Sequence, residues 1–458
     1  MSLVLVARPI VAQTPISKPP GSARETPNYA GETGELAELL RLATSANPSI
    51  SAARSRVAAA RARVGPAAAW PDPMLMAGIE NLPLGSMKSA PSHLAEPSVP
   101  GDAMTMKMIG VEQTIPFPGK PSLRRRIAER EVDAALAVVE MSVLEIIRDV
   151  KRSYFELAYI DQALGIVNRS QAVLGDIVRV AEVQYASGAS GQQDVLKARV
   201  EAARLGEIAS ALFEQRRAAV AELNALLDRT SATPIDAKIP DRITEAAIDR
   251  DPTTIRFVTQ TLGSRTANSP FPSLEALQDA AVRGNYAIKE REAMIAAQSA
   301  RVELARKASR PDIDFSLQYG QRDQRPDMIS AVVSIPLPVH KRSRQDQELA
   351  EARSELAAMQ SDLRATANKV RSEVARMVSD LERNRTQLAL YTKAILPQGQ
   401  AAVTSSLASY QSGKADLLAV LDNQSTLFAY ETAYYRALTD FARTLADLEQ
   451  IVGGEVLR

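Results

Sequence analysis

The methionines of this sequence have the residue type and the spacing that could bind a ligand. Six of the twelve methionines fall within residues 74–108. The two halves of the chain align with Pro71 matched to Pro311. The alignment ends with Ile115 matched to Ile335. It places five methionines on the polar side of two predicted strands: Met74, Met76, Met104, Met106 and Met108. Thioether sulfur suits Cu(I) or Ag(I), which favours a path for soft metal ions, and flexible packing within a strand is the alternative interpretation.

Other reactive residues are scarce. The 458 residues include no cysteine and only two histidines, His93 and His340. Disulfides and thiolate metal sites are therefore excluded. The sequence has no glycine-rich phosphate loop, nucleophile triad or metal-ligand cluster, so we predict no cofactor and no enzyme activity. Because 55 basic residues nearly cancel 54 acidic ones, net charge gives no reason to expect a nucleic acid partner.

The methionines lie in segments with the period of strands. Ile313, Phe315 and Leu317 alternate with polar residues, the pattern of a barrel strand with one apolar and one polar face. The predicted strands cover residues 73–81, 104–115, 313–320 and 328–335. Each is close to the ~9–11 residues that a tilted strand needs to cross a bilayer.

Helical periodicity returns after each strand pair. Ile115-Pro-Phe-Pro118 and Ile335-Pro-Leu-Pro338 precede long stretches with apolar residues every three or four positions. We predict helices over 121–185, 192–228, 341–410 and 415–452, with a kink at Pro397. The first helix would be roughly 100 Å long at ~1.5 Å per residue. Each pair of helices folds back at a Tyr-x-Ser-Gly turn, beginning at Tyr185 and at Tyr410.

The predicted organisation contains two internal repeats. Its segments are a truncated or degraded export signal (1–13), an extended arm (14–31), helices of repeat 1 (32–69), a first β-hairpin (70–118), a first long helical hairpin (119–229), an equatorial linker (230–273), helices of repeat 2 (274–309), a second β-hairpin (310–338), a second long helical hairpin (339–452) and a tail (453–458). An ordinary terminal segment is the alternative for residues 1–13.

Four strands are too few to close a barrel, and an open sheet leaves unpaired backbone groups at both edges. In hydrocarbon each such group costs several kcal/mol. Copies of the chain must therefore complete the sheet, with eight strands in a dimer or twelve in a trimer. A dimer and a trimer both meet this requirement.

The order of motifs resembles the outer membrane factor family, the TolC-like exit ducts of tripartite efflux and type I secretion systems. The motifs that carry the resemblance are Asn47-Pro48, Trp70-Pro71-Asp72-Pro73, Ile115 to Lys120, Ser190 to Ala198 and Tyr410 to Asp422. The strand pair within residues 71–119 is similar to the heavy-metal branch. The resemblance implies an α+β membrane protein, in which a long α-helical barrel of coiled-coil hairpins joins a transmembrane β-barrel with four strands per protomer in a homotrimer.

The resemblance also implies partners and sites. The partners are further copies of the chain, outer-membrane lipid, a periplasmic adaptor (membrane fusion) protein and an inner-membrane pump of the RND or ABC type. The location would be the outer membrane of a Gram-negative bacterium. The residues that would face the adaptor lie at the helical turns: Tyr185, Ser187, Gly188, Tyr410, Ser412 and Gly413. The glycines also suit a helix end that needs positive φ.

Two aspartates are candidates for the periplasmic aperture. Asp422 matches the second constricting aspartate of the family, while Ala419 stands where the family has the first. Asp194 occupies the position in the first half that corresponds to Ala419. In a threefold assembly each aspartate would form a ring of carboxylates that favours cations. Ordinary solvated helix charge is the alternative.

Basic residues follow each Ile-Pro-x-Pro segment: Lys120, Arg124, Arg125, Arg126, Lys341, Arg342 and Arg344. They would meet lipid head groups at a membrane boundary or lie on a solvated helix surface. The predicted function is a passive exit duct of a tripartite efflux system, for heavy-metal ions such as copper or silver, or for drugs. A type I protein-secretion duct and a soluble coiled-coil scaffold are the alternatives.

Overall fold

A computed structural model describes residues 34–81, 105–188, 190–248, 271–322 and 325–457. Residues 1–33, residues 82–104 (which include His93 and Met104) and residues 249–270 of the predicted linker lie outside this part of the chain. The elements are α1 (Gly34–Ala46), α2 (Pro48–Ala68), β1 (Met74–Glu80), β2 (Met106–Ile115), α3 (Lys120–Ala186), α4 (Gln192–Leu226), α5 (Asp241–Ala247), α6 (Leu274–Gly284), α7 (Tyr286–Ala308), β3 (Ile313–Arg322), β4 (Met328–Ser334), α8 (Gln345–Leu390), a π-helical turn (Tyr391–Ile395), α9 (Leu396–Gln411) and α10 (Leu417–Val452).

The predicted combination of long helices with a small antiparallel sheet is confirmed. The longest helix, α3, has 67 residues, which is roughly 100 Å at ~1.5 Å per residue. Among the described residues, the sheet has four strands in the order β1-β2-β3-β4, and every pair is antiparallel. None of the helices in the described ranges is both long enough and apolar enough to cross a membrane.

Asparagine caps tie the short helices of each repeat to the long ones. The Asn47 side chain accepts a hydrogen bond from the Ser49 N–H (2.9 Å), which begins α2, and its amide donates to the Leu226 carbonyl at the end of α4 (2.9 Å). The second repeat builds the same joint from Asn285, whose amide donates to the Ile451 carbonyl (3.3 Å). Each cap satisfies backbone groups at two helix ends with one side chain.

The main core lies where the short helices meet the long ones. In α3 its residues include Ile146, Val150, Tyr154, Leu157 and Leu164, and in α8 they include Val370, Val374, Val378, Leu381 and Leu388. The two sets have the same spacing, which shows that the long helices of the two repeats bury the same face. Parts of the linker that the structure describes, including α5, also pack against this core.

Ion pairs join α3 to α10 beside this core. Lys151 pairs with Glu449 (2.9 Å), and Glu156 accepts hydrogen bonds from Arg436 (2.8 Å) and Arg443 (2.6 Å). Because Lys151 and Glu449 are largely shielded from water, their attraction is less screened than that of surface pairs. These contacts fix the first helix of hairpin 1 against the second helix of hairpin 2.

The prediction of a helix from 341 to 410 with a kink at Pro397 is wrong at its start. Residues 339–344 form turns and α8 begins only at Gln345. A π-helical turn at Tyr391–Ile395 lies just before Pro397, the residue at which the sequence predicts a kink. Proline has no N–H for the helical bond to the carbonyl four residues earlier, and that carbonyl belongs to Lys393 in the π turn.

Candidate functional site: the two-faced sheet and the helix turns

The sheet has an apolar face and a polar face. Residues paired across antiparallel strands share a face, so the register assigns each side chain of the sheet to one of the two faces. The apolar face carries Leu75, Ala77, Ile79, Ile109, Val111, Phe315, Leu317, Tyr319, Ile329 and Val333. These apolar side chains are exposed, with Leu75 at 72% and Ile329 at 75%. A soluble sheet buries its apolar face instead.

On the inner strands β2 and β3 the polar face is the better shielded one. Asp314, Ser316 and Gln318 lie on it at intermediate burial. The register places Met74, Met76, Met106 and Met108 on this same face, as the alignment of the two halves predicts. Met104 lies outside the described residues.

A further methionine, Met328, lies on this face and was not predicted from the sequence. Met328 pairs with Gly320, and Gly320 pairs with Met108 on its other side. A Cβ at Gly320 would lie 2.6 Å from the Met106 sulfur, so that sulfur covers the glycine backbone. Met106 from repeat 1 thus covers Gly320, and Met108 and Met328 are the register partners of this glycine on the two neighbouring strands. Met328 and Ser330 are two residues apart in a predicted strand and therefore lie on the same face. The polar side chain of Ser330 could have identified that face as the polar one.

A buried ion pair joins the two repeats where the sheet meets the helices. The Lys120 ammonium donates hydrogen bonds to Asp312 Oδ1 and to the Arg310 carbonyl, both at 2.8 Å. The Phe117 N–H also donates to Asp312 Oδ1 (2.7 Å). Partial burial acts to raise the pKa of Asp312, but the hydrogen bonds from Lys120 and Phe117, together with the positive charges of Lys120 and Arg124, outweigh it, so the pKa is lowered. Lys120 therefore contacts protein, and the lipid or solvent contact considered for it from sequence is wrong.

The predicted turn residues lie at the ends of the long helices. Gly188 has φ +76° and Gly413 has φ +71°, a conformation that favours glycine. The N–H of Gly188 donates to the Tyr185 carbonyl (3.0 Å), and the N–H of Gly413 donates to the Tyr410 carbonyl (2.9 Å). Ser187 and Ser412 are exposed beside them, and each hydroxyl donates to a helix carbonyl of its own turn.

The two tyrosines of these turns have different environments. Tyr185 is exposed, whereas Tyr410 is buried in a second apolar cluster with Leu174, Val195 and Leu421. The Gln184 amide donates to the Tyr410 carbonyl (2.9 Å) and links the two turns. Tyr410 therefore supports the packing of one hairpin on the other, and it presents little surface for a partner.

Asp194 lies beside Tyr410, and Asp422 faces away from the cluster. Burial raises the pKa of the Tyr410 hydroxyl, the Asp194 carboxylate raises it further, and the Ser190 hydroxyl acts in the opposite direction. Asp194 is partly buried in the first turn of α4. Asp422 follows the buried Leu421 on α10 and is exposed, so it is available to a neighbouring chain or to the solution.

Known proteins share this architecture. A family described as outer membrane efflux protein matches residues 39–229 and 277–454. The cobalt-zinc-cadmium resistance protein CzcC of Cupriavidus metallidurans is 23% identical over 431 residues, which are 93% of this chain and 92% of CzcC.

Solved structures support the same fold. The outer-membrane channel OprN has a TM-score of 0.73 at 17% identity, covering 92% of this chain and 90% of OprN. CusC has a TM-score of 0.72 at 17% identity, covering 92% of each chain. VceC of Vibrio cholerae has a TM-score of 0.70 at 20% identity, covering 92% of this chain and 96% of VceC.

The family match spans most of both repeats and agrees with the two-faced sheet, so the interpretation as a soluble scaffold is wrong. The predicted resemblance, the transport role in place of catalysis and the outer-membrane location with a helical extension in the periplasm are confirmed. This chain belongs to the outer membrane efflux protein family.

Proposed function

We propose that three copies of this chain form the exit duct of a tripartite efflux system. The exposed apolar face of the sheet carries the proposal. In water, burying such side chains is favourable at roughly 25 cal/mol per Å², and contact with lipid removes them from water. Strands β1 and β4 end the sheet within the described residues, and their backbone groups need partners in a membrane.

The requirement for conduction supports three copies over two. An eight-stranded barrel is just wide enough for its own side chains to fill, so a dimer would leave little open path. Three copies supply twelve strands and a wider interior lined by the polar face. The helices of both repeats would then continue as a tunnel across the periplasm.

The test is assembly and conductance of the purified protein. In detergent we expect a particle of three chains, each of 49.5 kDa, and in planar bilayers we expect stepwise, passive ion conductance. Size-exclusion chromatography with light scattering gives the mass of the particle. A monomer that remains in solution without detergent and makes no pores would contradict the proposal.

The turns at Gly188 and Gly413 are the proposed contact with a periplasmic adaptor. Ser187 and Ser412 are exposed there, and large cationic side chains at both positions would obstruct a closely packed interface. We expect Ser187→Arg with Ser412→Arg to reduce adaptor binding by about tenfold.

Pull-down of a tagged adaptor measures this effect. Ser361→Arg is the matched control, since Ser361 is an exposed serine in the middle of α8. Equal adaptor recovery with the double variant and with the control would show that the turns do not form the contact.

Metal ions are the proposed cargo. CzcC is a cobalt-zinc-cadmium resistance protein, and the methionines of the polar face add thioethers that suit softer ions. We expect replacement of Met104, Met106 and Met108 by Leu to lower tolerance to silver or copper by about twofold without lowering the yield of trimer.

Growth of a strain that relies on this chain measures tolerance to silver, copper, cobalt, zinc and cadmium. The control replaces methionines outside the sheet, Met141, Met294 and Met359, by Leu. If the strand variant and the control give equal silver and copper tolerance, the methionines serve only as packing. If loss of this chain alters secretion of a protein but does not change tolerance to any of these ions, the chain is instead a type I secretion duct.

A further inference from the structure

Methionine and glycine alternate in one row across the polar face of the sheet, near the end that is farthest from the helices. Met108 of β2 pairs with Gly78 of β1 on one side and with Gly320 of β3 on the other, and Gly320 pairs in turn with Met328 of β4. A glycine inside a strand gives up side-chain packing and often marks a place where a ligand approaches the backbone closely. This row therefore combines soft donor atoms with space beside them.

The sulfur of Met106 lies above Gly320. A Cβ built on Gly320 would lie 2.6 Å from this sulfur and 3.4 Å from the Met106 Cγ, and Gly320 is buried. The side chain of Met106 thus leaves its own register partner, Arg322, and extends toward the row of Met108. A residue larger than glycine at position 320 would displace the sulfur.

Met108 and Met328 flank this sulfur from the two neighbouring strands. Because adjacent strands lie ~4.8 Å apart, the backbones of these two residues are about 10 Å apart across Gly320. Two methionine side chains can span that gap, since the thioether chain is unbranched and turns about three bonds. A Cβ built on Gly78 would lie 4.0 Å from the Met108 Cγ, so Met108 has room to turn. Three sulfur atoms can therefore meet above one glycine.

Charged side chains near these sulfur atoms are held by the turn between β3 and β4. Arg322 donates from Nε (2.9 Å) and Nη2 (2.7 Å) to the Pro326 carbonyl. Asp327 accepts a hydrogen bond from the Tyr319 hydroxyl. Glu80 is exposed on the same face and adds negative charge, which favours a cation.

We propose that Met106, Met108 and Met328 form a site for one Cu(I) or Ag(I) ion in each chain, above the backbone of Gly320. Thioether sulfur is a soft donor that suits these ions better than a harder ion such as Co(II). This site deepens the metal cargo proposed above, on which it rests, by naming the ions and the residues that bind them. All three ligands come from one chain.

The position of the site suits an exit duct. In the proposed assembly the polar face lines the pore, and this end of the sheet points away from the periplasmic helices. A conducted ion would meet these sulfur atoms shortly before it leaves. A site in a conduction path has to release its ion again. Neutral thioethers bind a cation less tightly than charged thiolates do, and the chain contains no cysteine.

Silver binding to the purified protein in detergent tests the site. Equilibrium dialysis against silver nitrate in a chloride-free buffer gives the number of ions per chain and the dissociation constant. The variants are Met106→Leu, Met108→Leu and Met328→Leu, which keep the size of the side chain and remove the sulfur. Met74→Leu is the matched control, since Met74 lies on the same face but pairs with Glu112, roughly 13 Å along β2 from Met108.

We expect each of the three variants to bind silver at least about tenfold more weakly, a loss that is typical even for residues that only support a metal ligand. The control should bind as the unmodified protein does, and the two histidines remain in every variant. If each substitution removes one ion and leaves the affinity for the others unchanged, the methionines bind separately and the shared site is wrong. Unchanged binding in the three variants, or an equal loss in the control, would also overturn it.

Gly320→Ala tests the geometry without removing a sulfur. The added methyl group would lie 2.6 Å from the Met106 sulfur and displace it, so we expect weaker silver binding at an unchanged yield of assembled protein. Gly78→Ala is the matched control, because a Cβ there makes only an ordinary contact, 4.0 Å from the Met108 Cγ. Equal silver binding by the two alanine variants would show that the ion does not lie above Gly320.

The mass and the conductance of the same preparations separate this site from the proposed duct. If the unmodified protein assembles and conducts but binds no silver, the site is wrong and the duct stands. If it binds silver, with the loss expected in the three leucine variants, but forms no pore, the duct is wrong and the site stands.

Discussion

Replacing Lys120 by methionine is expected to lower the free energy of unfolding by about 2–3 kcal/mol. The side chain of Lys120 is 9% exposed and that of Asp312 is 28% exposed. Methionine keeps the packing of the aliphatic stem, but it leaves the Asp312 carboxylate with the hydrogen bond from the Phe117 N–H as its remaining partner in this joint. Removing one member of a buried pair costs more than the pair contributes, because the other charge stays shielded from water.

The pH dependence gives this prediction a second readout. The folded-state pKa of Asp312 is lowered, so its contribution to stability is present above the unfolded pKa of the carboxyl group. That contribution is lost as the pH falls through the folded-state pKa. In Lys120→Met the pKa of Asp312 is lowered less, because the ammonium group is absent. We therefore expect the free energy of unfolding to decrease less steeply as the pH falls.

Unfolding of the detergent-solubilised protein, followed by circular dichroism over a series of pH values, measures both effects. Lys369→Met is the control, since Lys369 is 76% exposed and faces Glu373 at 3.9 Å along the same helix. Such pairs contribute about 0.3–0.5 kcal/mol. If the two variants lose the same stability and keep the same pH profile, the Lys120 joint is no stronger than a surface contact.

Replacing Asp422 by alanine is expected to raise single-channel conductance by about twofold or more and to weaken selectivity for cations. In the proposed assembly of three copies, each exposed Asp422 would contribute one carboxylate to a ring. A ring of carboxylates attracts cations into a narrow opening and needs cations or hydrogen bonds to hold it closed. Alanine removes the charge and the hydrogen-bond acceptors while it keeps the helix.

Planar bilayer recordings at several salt concentrations measure conductance, opening probability and reversal potential. Asp362→Ala is the matched control, because it removes an exposed carboxylate from the middle of α8. Asp194→Ala separates the two proposed aperture residues, since Asp194 also lies beside Tyr410. Unchanged conductance and selectivity in Asp422→Ala would remove this residue from the aperture.

Local signals predicted many of the elements. Alternation around Ile313 gives β3 and its apolar face, because successive side chains of a strand point to opposite sides. Asn47-Pro48 begins α2, since the asparagine side chain accepts from a backbone N–H that has no helical partner. Gly188 and Gly413 mark the ends of long helices, where positive φ favours glycine.

Contacts between distant residues were harder to predict. Met108 and Met328 become the register partners of Gly320 only because β3 lies between β2 and β4, and the pairing of β2 with β3 connects the two repeats. The similar composition of the two turns gave no indication that Tyr410 is buried while Tyr185 is exposed. The packing of one hairpin on the other sets that difference.

By itself the sequence determined the repeats, the helical and strand periods, the residues that end the long helices and the face on which Met74, Met76, Met106 and Met108 lie. The periods and the helix-ending residues are properties of residues within a few positions of one another, which backbone geometry fixes locally. The repeats and the face of the methionines follow from aligning the two halves of the sequence. Only the tertiary structure decided the order of the strands, the burial of Tyr410 and the partner of Lys120. Asp312 lies 192 residues from Lys120 along the chain, and the energy of that contact depends on how the whole chain excludes water around it.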